Sequence, residues 1–73
     1  MAQFYVINES TEDTVDSSDS LEDAIRIARE AASQGQAGDP VCILESGGTA
    51  IRQFMQMPDG TVAEQPIARQ VRR

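Results

Sequence analysis

One stretch of the chain carries helical periodicity, and only one. Leu21, Ala24, Ile25, Ala28, Ala31 and Ala32 recur at the i, i+3, i+4, i+7 spacing and form a single stripe. Ser20 precedes it as an N-cap, with Asp23 at the capping-box position, although Asp is shorter than the preferred Glu or Gln. Glu22, Arg26, Arg29 and Glu30 fall away from the stripe, so Glu22–Arg26 and Arg26–Glu30 are expected as i, i+4 pairs adding about 0.2–0.5 kcal/mol each. Acids in the first turn suit the helix dipole. The helix is predicted to stop near Gln34, with Gly35 in the left-handed C′ position. A face built mostly of Ala lets the helix approach a sheet closely.

The rest of the chain reads as strands and turns. Phe4–Ile7 and Val41–Leu44 are short aromatic, aliphatic and β-branched runs, apolar on both alternations, which places them inside a sheet. Gly47-Gly48 signals a hairpin into a third strand, Ala50–Met57. Pro58-Asp59-Gly60 is a turn into a weaker fourth strand, Thr61–Glu64, which Pro66 confines to an edge. Asn8–Asp19 is polar and acidic and reads as a loop, with a short strand around Thr14–Ser17 as the alternative. The expectation is an α+β fold: one helix on one face of a three- or four-stranded, mainly antiparallel sheet, in the order β-α-β-β(-β). Residues 1–68 make one small domain and residues 69–73 a basic tail.

Size sets the next constraint. A chain of 73 residues, nine of them Ala, with two Phe, one Tyr and no Trp, builds a small core. Such domains usually gain stability from disulfides, a metal or oligomerisation. A lone Cys42 and the absence of His leave only self-association. The net charge of −6, with Arg69, Arg72 and Arg73 the one basic cluster, argues against direct binding to nucleic acid or to an anionic membrane. That cluster reads as a solvated tail. The first residues, Met1–Asn8, do not read as a signal peptide, no stretch is long enough to span a membrane, and a lone thiol fits a cytoplasmic location.

No motif carries recognisable chemistry. Glu9, Glu12, Asp13, Asp16 and Asp19 invite a calcium reading, but an EF-hand loop starting at Asp13 would put Val15 at a ligand position, Ser18 where Gly is required and Ala24 where the bidentate Glu belongs. These acids read as a solvated loop or as a contact surface for a basic partner. No His stands by to activate Ser or Cys42 as a nucleophile, and Cys42 in an apolar strand reads as packing. The Gly-containing turns join strands and lack the Lys of a phosphate cradle. No catalytic residue, metal, cofactor or small-molecule ligand is therefore expected. In Phe54-Met55-Gln56-Met57, Met55 and Met57 share a face with Ile51, and Phe54 shares the other with Arg52 and Gln56. Phe54, Met55 and Met57 are the candidate interaction patch, since Met suits adaptable surfaces; the alternative makes one face core and Phe54 its partly exposed neighbour.

The segment Ser20–Ala31 resembles the helix of HicB-type antitoxins, in which a capped helix follows a strand meander. The likeness covers that segment alone, and Asn8–Asp19 is short for the family's strands ahead of the helix, so it assigns no residue role. On function, one helix cannot cover two apolar sheet faces. The expectation is a non-catalytic interaction module that pairs with itself, as a homodimer, or with another protein through the open face. The alternative is an acidic decoy that occupies a partner's nucleic-acid-binding surface, whose complex would weaken steeply with salt.

Overall fold

The computed structural model describes residues 3–67, and the basic tail 69–73 lies outside the described residues. The elements run β1 (Phe4–Asn8), β2 (Asp13–Ser18), α1 (Leu21–Gln34), β3 (Pro40–Glu45), β4 (Ala50–Gln56) and β5 (Val62–Gln65). All pairings are antiparallel and the sheet order is β2-β1-β3-β4-β5. The class is α+β with one helix on the sheet, as expected. The sheet has five strands rather than three or four, and β2 precedes the helix where a loop was expected.

Local chemistry makes β2 possible despite its composition. The Asn8 carboxamide oxygen accepts from the Ser10 and Thr11 amides at 2.9 and 3.3 Å, and the Glu12 amide donates to the Asn8 carbonyl at 2.6 Å. Glu12 closes the turn in the left-handed region, φ 63°, where L-residues are disfavoured by about 1–2 kcal/mol. This tight turn folds β2 back onto β1. Strand β1 then lies between β2 and β3, with Phe4 and Val6 on one face and Tyr5 and Ile7 on the other.

Successive strand residues face opposite sides. The register pairs Val6 with Ile43 and Val41 with Phe54, so these side chains share the helix side with Phe4. Against them the helix sets Ala24, Ala28 and Ala32, all buried, with Leu21, Ile25, Ile27 and Ala31 half-buried at the margin. Phe54 is fully buried here, with the Arg29 guanidinium 5.0 Å from its ring centre, a cation–π geometry.

Two bulges adjust the faces. One lies between Ile43 and Leu44 of β3, where Ile43 pairs with Arg52 and Leu44 with Ala50. It leaves Ile51 unpaired and turned to the helix-side core, away from Met55. The other lies opposite Val6 and Ile7 and leaves Val15 of β2 unpaired. Val15 is 46% exposed.

The helix ends differ in detail from the expectation. Ser20 Oγ accepts the Asp23 amide at 3.3 Å, but the Asp23 carboxylate turns to Arg26 at 2.9 Å, so the capping box is half formed. Arg26 therefore pairs with Asp23 and not with Glu22 or Glu30. At the far end Gly35 is extended (φ −90°, ψ −157°) rather than left-handed. Gln56 of β4 explains this: its side-chain amide reaches the carbonyls of Ala32, Ser33 and Gly35 at 3.2, 2.8 and 3.3 Å. The open carbonyls of the last turn are satisfied from the sheet, and the left-handed residue is Gly38, φ 92°.

These contacts rank three substitutions. Ala28→Asp, a charge in the helix–sheet contact, should abolish cooperative unfolding or lower its midpoint severely. Ser20→Ala and Gln56→Ala should each cost about 1 kcal/mol through lost terminal hydrogen bonds. Urea titration of the three variants checks the order; an unchanged midpoint for Ala28→Asp would refute the assigned face.

Candidate interaction surface on the helix-free face

The face turned away from the helix follows from the same registers. Tyr5 pairs with Leu44, Ile7 with Cys42, Cys42 with Gln53, Pro40 with Met55 and Met55 with Ala63. Thr14 and Ser17 of β2 and Gln65 of β5 flank this strip. Its strand positions carry no charged side chain. Tyr5 is 39% exposed, Ile7, Leu44 and Met55 are half-buried, and Cys42 is buried.

Cys42 is covered from above. Glu9 follows β1, and its amide donates to the Pro40 carbonyl at 3.0 Å, which places its carboxylate over β3. The Cys42 thiol donates to Glu9 Oε2 at 2.7 Å and lies 3.7 Å from Gln53 Oε1. Burial first, then the hydrogen bond and the charge of Glu9, push the thiol up to about 12. A thiol held neutral is neither a nucleophile nor a metal ligand at neutral pH. Cys42 is a packed residue, but on the face opposite the helix.

The structure divides the candidate residues. Met55 lies on this face. Phe54 does not: it is 0% exposed in the helix–sheet core, because one step along a strand exchanges faces. Met57 follows the end of β4, half-buried, where its amide closes the turn to β5 on the Thr61 carbonyl at 2.7 Å. Sequence reasoning saw Tyr5, Ile7 and Leu44 as alternating apolar residues but lacked the register that assembles them around Cys42. The role of Glu9 as a lid on Cys42 had no local signal.

The acidic candidates are dispersed. Glu9 lies over Cys42, Glu12 sits in the turn, Asp13 and Asp16 lie on edge strand β2, and Asp19 lies between β2 and α1. Among the described residues no group of three His, Cys, Asp or Glu side chains could hold a metal ion. Asp16 accepts the Ser17 amide at 2.8 Å. With Val15 it borders a groove of about 410 Å³ against the helix flank of Asp23, Arg26, Ile27, Glu30, Ala31 and Gln34. Among the described residues no helix is long and apolar enough to cross a membrane.

Compared with protein-family models, curated proteins and solved structures, the chain matches none.

The thiol environment makes a pH prediction. Unfolding frees Cys42 to ionise near its ordinary value of 9.0, while the folded thiol stays protonated to about 12. The stabilisation is complete below the lower value and is lost as pH rises from it through the upper one. Cys42→Ala should remove this component of the alkaline decline. Native Cys42 should react slowly with a thiol reagent at neutral pH and quickly in denaturant, and Glu9→Gln should label faster than the parent. Rapid native labelling of the parent would refute the buried, neutral thiol.

Proposed function

We propose that the protein is a non-catalytic interaction module that pairs with a second copy through its helix-free sheet face. The observation that carries this reading is the apolar strip of Tyr5, Ile7, Leu44 and Met55 around Cys42, on which the Glu9 carboxylate is turned down onto the Cys42 thiol. All twelve acids but only three of the six arginines fall within residues 3–67, so like chains repel over most of their surface. The strip is where two copies can meet at the lowest electrostatic cost while removing apolar area from water. A two-fold pair of stacked sheets, about 10 Å apart, is the simplest closed arrangement.

A second reading rests on Glu12, Asp13 and Asp16, exposed on the turn and edge strand. They support the acidic decoy, which would engage a basic partner from the side of the sheet rather than its face. Salt separates the two, because contact across a mainly apolar strip responds less to ionic strength than contact through exposed acids.

Sedimentation equilibrium at tens of micromolar should return the mass of a dimer. Leu44→Arg, at a half-buried position outside the helix–sheet core, should return a folded monomer with an unchanged circular dichroism spectrum. A monomeric parent would refute the self-pairing reading.

A further inference from the structure

Every charged residue on the five strands falls on the helix side of the sheet. Asp13 pairs with Asn8, Asp16 with Val6 and Glu45 with Phe4, while Arg52 pairs with Ile43 and Glu64 with Phe54. Paired residues share a face and faces alternate along a strand, so the helix-free face receives none of these charges. One carboxylate reaches that face all the same. Glu9, the residue after β1, continues the alternation of Tyr5 and Ile7, and its amide extends the β1–β3 ladder onto the Pro40 carbonyl.

Its place is inside the apolar strip. Tyr5 and Leu44 form one cross-strand row, Ile7, Cys42 and Gln53 the next, and Pro40 and Met55 the one after. Glu9 stands beside Pro40 and turns its carboxylate back to the Cys42 thiol at 2.7 Å. A second copy that covers Tyr5 and Leu44 at one end and Met55 at the other passes over Glu9.

This carboxylate is ill-equipped for a dry contact. Glu9 is exposed, so water solvates its charge in the free chain. Among the described residues it accepts a hydrogen bond only from the Cys42 thiol. The strand positions around it offer no cation. The thiol on β3 and the Tyr5 phenol on β1 are neutral at neutral pH, and β2, β4 and β5 contribute hydroxyl, carboxamide and apolar side chains. The flanking connections, β1–β2 and α1–β3, add only the acids Glu12 and Asp39. Of the described arginines, Arg26 and Arg29 lie on the helix and Arg52 is paired with Glu64 on the helix side at 3.3 Å. A carboxylate taken out of water without a cation is strongly disfavoured unless it takes a proton.

We propose that pairing through the helix-free face is coupled to protonation of Glu9: each copy takes up one proton from solvent as the other closes over it, and the pair tightens as pH falls. This rests on the face-to-face pair proposed above. The protonated carboxyl becomes a donor, and the Gln53 side-chain oxygen, 3.7 Å from the same thiol, stands beside it as an acceptor. With one proton per copy the association constant rises by up to about a hundredfold for each unit fall in pH.

Sedimentation equilibrium of the full chain at about pH 7 and about pH 5 tests the coupling. Salt at about 0.5 M screens the general repulsion between acidic chains. The parent dimer should tighten at least about tenfold at the lower pH. Glu9→Gln, uncharged and nearly isosteric, should pair at least about tenfold more tightly than the parent at neutral pH and lose most of the pH response. Glu22→Gln, the same charge change at an exposed position on α1, should behave as the parent. Circular dichroism should show both variants folded. Dilution calorimetry of the parent in two buffers of different ionisation enthalpy needs no variant, and should show protons released as the dimer dissociates. A parent that pairs equally well at both pH values, a Glu9→Gln dimer with the parent's affinity and pH response, or heats independent of the buffer would overturn the coupling and leave the pair standing. Parent and Glu9→Gln chains that are monomeric at both pH values would overturn the pair itself.

Discussion

The contact of Ala24, Ala28 and Ala32 with Val6, Val41, Ile43 and Phe54 is the constraint on which the structure depends. Alanine at the centre of the helix face allows the backbone to lie close to the sheet, so the bulk of the core comes from the strands. The helix brings few large side chains and can shield one face only. The charged end of Arg29 over Phe54 and the amide of Gln56 at the helix C-terminus extend this contact at its margins. Both tie α1 to β4, the strand that supplies the largest fully buried side chain, Phe54.

The remaining features manage a two-layer fold with open edges. Strand β2 is exposed along one edge, where bare peptide groups would invite another strand. Its bulge at Val15, its acids and the Asp16 carboxylate on the Ser17 amide oppose simple strand addition. The same bulge turns Val15 toward the helix and builds the groove. Strand β5 is short and is followed by Pro66, which blunts the other edge. The edges are thus guarded while the broad face is not, a contrast that supports the proposed pairing through the face.

Much of this was legible in residues alone. Helix limits, the N-cap at Ser20, the hairpin at Gly47-Gly48 and the edge position of β5 follow from patterns a few residues long. Strand β2 was not legible because its turn uses an Asn side chain and a left-handed Glu12 in place of the usual glycine. Its edge strand holds no large apolar residue but Val15. Which of Phe54 and Met55 is buried depended on register, and the bulge at Ile43–Leu44 redirected Ile51 as well. The helix C-terminus escaped for a different reason: its cap is Gln56, 21 residues beyond Gly35. The helix-free apolar strip was half visible, as apolar alternation without an address.

A helix-free face that buries a neutral thiol beneath a carboxylate, and otherwise presents Tyr5, Leu44 and Met55 to the surroundings, is the central feature of this account. It is tested most directly by nuclear Overhauser measurements on a mixture of isotopically labelled and unlabelled chains, filtered so that only contacts between copies are seen. The account predicts cross-peaks between the Tyr5 ring of one copy and the Leu44 and Met55 methyl groups of the other. A filtered spectrum empty at these residues, at a concentration where the chain sediments as a dimer, would show that the copies meet elsewhere and contradict the account.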